Sequence, residues 1–424
     1  MTSTQLAPTQ KPSRSGHRPL RVAIVDEELP YPPTSGKRIR SLNLTMRLAR
    51  RHELTYICHR NADPEEARRA ADFFEGCGIQ TVVVDRAIPA KSGPGFYARL
   101  AANLLSPLPY SVASHTSREL RAALQQHAAT HAVDLWHCEW TPYAESLRSV
   151  SGRRVVVAHN VESVIWKRYY ETEAATLRRW YVGHQWRKFE QFERRALAEA
   201  DCTIAVSDID AERFRREFGV ARVDVVENGV DTAYFRPGAG RRTPGRLLFL
   251  GSLDWRPNLD GVSRLLDDIF PAVSAAEPHA SLDIVGRNPP TWLRRRVAES
   301  PGVALHSDVP DVRPFLANCE LMLVPLRIGG GSRLKILEAL AAGVPVVSTR
   351  VGAEGLHLEP GRDLSVSQDT DDLAPAVIAA LRSPERSTRQ AASGRERVLA
   401  RYDWDSLANE MERVWLDCVR GLST

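Results

Sequence analysis

The chain is predicted to be an α/β protein built from two doubly wound, parallel-sheet halves, and three observations lead there. Its 424 residues exceed what one hydrophobic core usually holds and suggest two domains. Short apolar runs alternate with amphipathic stretches along most of the length, the pattern of strands joined by helical crossovers and therefore paired in parallel. Midway stands Pro237-Gly238-Ala239-Gly240-Arg241-Arg242-Thr243-Pro244-Gly245, whose composition is that of a linker.

Strands of the first half are expected at 20–25, 53–58, 80–84, 133–137, 155–158 and 203–206. After the first comes a loop, Pro30-Tyr31-Pro32-Pro33-Thr34-Ser35-Gly36, and then a helix with Ile39, Leu42, Leu44 and Leu48 on or near its inner face. The second half has strands at 247–250, 281–285, 303–306, 321–324 and 344–348, and residues 404–420 read as an amphipathic helix. The expected division is a disordered tail at 1–18, one Rossmann-like domain at 19–235, another at 236–402, and a helix at 403–424 returning toward the first.

Composition excludes several function classes. A formal charge of +5 is small for this length and does not suggest nucleic acid, which calls for a concentrated basic face. The six cysteines lack metal-ligand spacing, and several sit in apolar runs, which suits a reduced, cytoplasmic setting. The first eighteen residues contain no acidic group and no apolar signal core, and no run of about eighteen apolar residues spans a membrane.

The most informative stretch follows the strand Leu321-Met322-Leu323-Val324, which Pro325 stops. It reads Gly329-Gly330-Gly331-Ser332-Arg333-Leu334-Lys335-Ile336-Leu337-Glu338. Glycines let the backbone turn sharply and approach a ligand, and a helix starting near Ser332 aims unpaired N–H groups and a positive dipole end at it. Arg333 and Lys335 are cations where the dipole disfavours them, a placement that an anion would offset. Glu338 offers a carboxylate to a ribose diol. The plainer alternative is a Gly-rich turn with an exposed Lys335–Glu338 pair, worth tenths of a kcal/mol. Val344-Pro345-Val346-Val347-Ser348 then completes a β-turn-α-β unit with its loop at the strand's carboxyl end, where parallel sheets bind small molecules.

Taken together, these segments resemble the retaining, nucleotide-sugar-dependent glycosyltransferases of family 4, with the GT-B fold. The resemblance runs over nearly the whole chain: Pro33-Thr34-Ser35-Gly36, Ala158-His159-Asn160-Val161-Glu162, Ala205-Val206-Ser207, Val226-Glu227-Asn228-Gly229-Val230-Asp231, Phe249-Leu250-Gly251-Ser252-Leu253, Val285-Gly286, Val309-Pro310-Asp311 and the loop ending at Glu338. It implies two domains facing across a cleft that closes about a hinge between Gly229 and Gly245. It also implies transfer of a sugar from a nucleoside diphosphate to a hydroxyl, without a metal and with retention at the anomeric carbon. The acceptor implied is a lipid-linked or growing glycan of polysaccharide, exopolysaccharide or glycoconjugate biosynthesis. Donor-binding positions would be Gly36, Gly251, Ser252, Gly329, Gly330, Gly331, Ser332 and Glu338, with His159, Arg333 and Lys335 catalytic.

Departures bear on the donor. Gly330 stands where many members have the first of two glutamates, and Ser252 and Pro257 replace an Arg and a Lys, so the donor sugar does not carry over. Arg333 and Lys335 are the nearest replacements for that charge. Arg38 and Arg40 lie behind Gly36, as phosphate-side cations or as a solvated helix face. Asp208-Ile209-Asp210 follows Ser207 and reads as helix capping instead of a metal motif. Two rivals stay open: a nucleotide-sugar epimerase and a non-catalytic partner subunit. Finally, residues 165–195 interleave Trp166, Tyr169, Tyr170, Trp180, Tyr181, Trp186 and Phe189 with eight Lys or Arg, and Phe96-Tyr97 and Leu104-Leu105 lie in the same half. This pattern fits either peripheral contact with an anionic membrane on the cytoplasmic face or a packed amphipathic helix.

Overall fold

The computed structural model describes residues 18–86, 88–89, 92–238, 240, 242–328, 333–367 and 373–422. The expected tail lies outside them apart from Arg18, which pairs with Asp134 at 3.1 Å. The chain divides into two units, one ending at Glu227 and resuming at Leu407, the other Asn228–Ser406. The division thus precedes the Pro- and Gly-rich segment at 237–245, because Val230 already bridges to Asp403 and donates its N–H to the Tyr402 carbonyl at 2.8 Å.

The first unit holds a sheet of seven strands: β1 (Arg21–Asp26), β2 (Glu53–His59), β3 (Gln80–Val84), β4 (Leu135–Cys138), β5 (Arg154–Ala158), β6 (Cys202–Ala205) and β7 (Val223–Val225). All pairs are parallel, in the order β3-β2-β1-β4-β5-β6-β7. Helices on both faces bury the central strands, which is why they read as continuous apolar runs. Val25, Ile57, Val156 and Ala205 belong to the core between them. β4 starts at Leu135, two residues later than expected; just before it Asp134 donates its N–H to the Arg21 carbonyl at 2.9 Å, and its carboxylate accepts from the Arg21 N–H at 2.9 Å and Nε at 3.0 Å. Strand order reverses between β1 and β4. The Trp404–Arg420 helix brings Glu412 to Arg51 at 2.5 Å and buries Trp415 in this unit.

The second unit's sheet has six parallel strands: β8 (Arg246–Leu250), β9 (Ser281–Gly286), β10 (Val303–Ser307), β11 (Leu321–Val324), β12 (Val346–Thr349) and β13 (Ser365–Ser367). Their order is β10-β9-β8-β11-β12-β13, so the reversal falls between β8 and β11. Leu247, Phe249, Ile284, Leu323 and Val347 form the core. In such sheets the crevice for a small molecule opens at the carboxyl ends of the strands flanking the reversal. The loops after β1 and β4, and after β8 and β11, therefore border these crevices.

Candidate active site

At the reversal of the second sheet the loop leaving β8 is packed too tightly for a side chain. A Cβ on Gly251 would stand 2.8 Å from the Asn258 carboxamide, and one on Gly286, at the end of β9, would collide with the Gly251 carbonyl oxygen. Two glycines of the recognisable motifs are thus required by close backbone approach. Asn258, in the Arg256–Arg264 helix that follows, donates Nδ2 to the Ser252 carbonyl at 2.8 Å.

Its Oδ1 accepts from Lys335 Nζ at 2.9 Å, a bond that ties the helix after β8 to the Leu334–Ala341 helix after β11. The ammonium also stands 4.8 Å from the Phe249 ring centroid. Neither partner is an anion. Burial, with Arg333 nearby, pushes the Lys335 pKa down to about 7. Glu338, one turn on, makes no hydrogen bond or ion pair among the described residues, and burial pushes it up to about 7. Both residues are only partly covered.

Sequence reasoning missed Arg287 and Asn258. Arg287 directly follows the quoted Val285-Gly286 and donates Nε to Ser252 Oγ at 3.1 Å, while Ser252 Oγ donates to Asp254 at 2.8 Å. A cation therefore stands at the Ser252 loop, where the sequence lacks the expected arginine, but it comes from the neighbouring strand. The signal was its place just after β9; what hid it is that β9 and β8 are neighbours only in the sheet.

Arg333 differs from Lys335. It is the N-cap residue, 4% exposed, and its guanidinium donates to the Val351 carbonyl at 2.7 Å with Glu354 at 3.8 Å. It ties the helix start to the segment after β12, and the helix begins at Leu334, two residues past the expected Ser332. Gly329, Gly330, Gly331 and Ser332 lie outside the described residues.

In the first unit, Gly36 opens the Gly36–Leu48 helix directly after the N-cap Ser35, whose hydroxyl accepts from the Arg38 N–H. Neither arginine behind it is a solvated face. Arg38 pairs with Glu28 and Glu66, and the fully buried Arg40 holds the backbone carbonyls of Val226 and Glu227. Lys37 instead reaches Asp26 at 2.5 Å and Glu27 at 3.4 Å.

His159 follows β5. Its Nε2 lies 2.7 Å from the Glu139 carbonyl, which only accepts, so this nitrogen carries a proton; the Glu139 carboxylate is 3.4 Å away. Glu139 also receives Ser41 Oγ and His137 Nε2, each at 2.7 Å. Trp415 Nε1, a donor only, bonds His137 Nδ1 at 3.0 Å and thereby sets the His137 tautomer. Burial alone would raise the Glu139 carboxyl, but hydrogen bonds from His137 and His159 hold it well below the usual range. Asp208 and Asp210 lie in the first turn capped by Ser207, as the sequence suggested.

The comparisons with known proteins agree with this layout. Residues 36–234 match the family model described as "Glycosyltransferase Family 4", and residues 244–383 match that described as "Glycosyl transferases group 1". Glycogen synthase of Mycobacterium tuberculosis is 28% identical over 268 residues, covering 59% of this chain and 63% of that protein. A GDP-mannose-dependent alpha-(1-6)-phosphatidylinositol monomannoside mannosyltransferase of the same organism is 30% identical over 241 residues, 51% of this chain and 62% of the relative. The matched stretch thus spans about three fifths of these relatives' length. Sucrose-phosphate synthase of Thermosynechococcus elongatus has the same fold, with a TM-score of 0.70 at 20% identity over 94% of this chain and 98% of the other. With one family model over most of the first unit and another over most of the second, the chain belongs to the family 4 glycosyltransferases and has their GT-B fold.

Proposed function

We propose that this protein transfers a sugar from a nucleoside diphosphate to a hydroxyl acceptor, with retention at the anomeric carbon. The observation that carries the reading is the pair Lys335 and Glu338 at the second sheet's reversal, both partly open, both with a pKa moved to about 7 by burial, and neither with a charged hydrogen-bond partner among the described residues. A diphosphate supplies the charge Lys335 lacks. As the glycosidic bond breaks, negative charge grows on that leaving group, so a cation fixed beside it stabilises the transition state more than the ground state.

In this reading Lys335 and Arg287 meet the diphosphate, with Arg333 setting the start of the helix, and Glu338 accepts from the ribose diol. Gly251 and Ser252 shape the floor, Gly329, Gly330, Gly331 and Ser332 keep the donor-binding role that the family resemblance implies, and no metal is invoked. His159 is assigned to the sugar and acceptor and Gly36 to the donor phosphate, the roles the family resemblance implies. Glu338 is assigned to the ribose diol and not to attack on the anomeric carbon, so the retaining step is drawn, as the family resemblance implies, as a front-face substitution in which the leaving phosphate helps deprotonate the acceptor. The acceptor proposed is a lipid-linked or growing glycan, met by peripheral contact with a membrane. A relative named for a phosphatidylinositol mannoside acceptor supports this class.

Incubation with a panel of nucleotide sugars and acceptors tests the reading. Free nucleotide is expected together with a glycosylated product of the donor's anomeric configuration by NMR. Isomerised donor without nucleotide release would make the protein an epimerase, and inertness across the panel a non-catalytic partner.

A further inference from the structure

One short helix of the first unit turns an apolar face to solvent. Pro94–Asn103 exposes Pro94, Tyr97, Ala98, Ala101 and Ala102, and Leu105 continues the same face just beyond its end. These positions repeat at three and four residues, so they share one side, and that side carries no charge. Tyr97 is 68% and Leu105 93% exposed. An outward helix face normally carries the polar residues of an amphipathic pattern, and here that pattern is inverted. Single exposed apolar residues need no explanation, whereas a continuous face does.

Beside it runs the Thr176–Ala198 helix, joined to it by Gln185 Nε2 to Asn103 Oδ1 at 3.0 Å and Lys188 Nζ to the Asn103 carbonyl at 2.7 Å. Most aromatics of that segment are not surface groups. Phe189 stacks on Trp166 at 5.8 Å, and Tyr170 packs on Trp186 and against Gly183, so they hold this helix to Glu162–Thr172. What stays outside is the first turn: Leu177 at 79% and Trp180 at 56% exposed, flanking the exposed Arg178, 4.0 Å from the Glu173 carboxylate, and Arg179, which lies over the Tyr170 ring at 4.8 Å. Electrostatics point the same way. Residues 86–118 contain no acidic side chain at all.

We propose that the outward face of Pro94–Asn103, with Leu105 and the Leu177–Trp180 turn, is a docking surface for an anionic lipid bilayer. The helix lies in the interface plane, with Tyr97, Leu105, Leu177 and Trp180 entering the boundary of headgroups and acyl chains and Arg178 and Arg179 meeting phosphates. None of the described helices is long and apolar enough to cross a membrane. This inference specifies the membrane contact of the proposed function and rests on that reading for its purpose, while its test does not depend on catalysis.

Flotation of the full chain with phosphatidylcholine vesicles, with and without phosphatidylglycerol, decides it. Binding is expected on the anionic vesicles. Replacing Tyr97→Ser and Leu105→Ser together should lower it about tenfold or more, and Arg178→Gln with Arg179→Gln should weaken it on anionic vesicles alone. All four positions are exposed, so thermal midpoints and nucleotide release in solution should stay at wild-type values. Absence of binding, unchanged binding in both variants, or a dimer that Leu105→Ser dissociates would overturn the proposal, the last by assigning the face to a second copy. Binding as expected with no nucleotide release from any donor would sink the transferase reading and leave the docking surface standing.

Discussion

At the reversal of the first sheet, burial opposes the charge on Lys37, but Asp26 at 2.5 Å and Glu27 at 3.4 Å outweigh it and raise its pKa above the lysine range. Beside the reversal of the second sheet, the hydrogen-bond partner of Lys335 among the described residues is the neutral Asn258 amide, and burial, with Arg333 nearby, lowers its pKa to about 7. The same residue type, on a helix that leaves one strand of each reversal, after β1 in the first sheet and after β11 in the second, thus has ion pairs in one and no ion pair among the described residues in the other. The carboxylates repeat the contrast. Glu139 collects three side-chain donors, and Glu338 has none among the described residues. A parallel sheet offers a binding position at every reversal, but whether it waits for a ligand depends on whether the chain has filled that position with its own counter-charges.

The largest expected effect comes from removing a satisfied partner. Lys37→Met leaves Asp26, 1% exposed, without its cation and should cost about 3–5 kcal/mol in denaturant unfolding. Lys335→Met should change stability by less than about 1 kcal/mol, because no ion pair among the described residues is broken. Equal losses in the two variants would erase the comparison.

Activity should reverse that ranking. Lys335→Ala is expected to lower turnover at saturating donor by on the order of 10² or more, the usual cost of losing a transition-state charge contact. Near-wild-type turnover would remove it from the mechanism. Glu338→Gln should act chiefly on binding, weakening nucleotide affinity about tenfold by calorimetry, with turnover at saturation little changed. The smallest effect is Ser41→Ala, which takes one donor from Glu139 and should cost about 1 kcal/mol in stability without altering nucleotide affinity. A loss of affinity there would tie the first unit's network to donor binding.

Legibility in the sequence followed the range of the interactions. Central strands were readable because burial on both faces makes them apolar runs. β7 and β13, three residues each at the sheet edges, were missed, since Val223-Asp224-Val225 and Ser365-Val366-Ser367 carry too few apolar residues to stand out. Lys335 and Glu338 could be nominated from the sequence because loop, cation and carboxylate lie within one short segment. Arg287 acts at Ser252 only because β9 lies beside β8, and Trp415 sets the His137 tautomer across 278 positions, relations that no local pattern encodes. Arg40 was misjudged for the same reason, its carbonyl partners being 186 and 187 residues away.

The central claim is that Lys335 is held short of charge until a diphosphate arrives. With its pKa near 7 in the free protein, the side chain is mostly neutral at pH 8. Contact with the anion should return it toward the ordinary lysine range of about 10.4, so binding takes up a proton and affinity falls as pH rises above about 7. Calorimetry of nucleoside diphosphate binding at pH 8, in two buffers of different ionisation enthalpy, counts that proton. The account predicts uptake approaching one proton in the wild type and close to none in Lys335→Met, and a wild-type heat that does not depend on the buffer would contradict it.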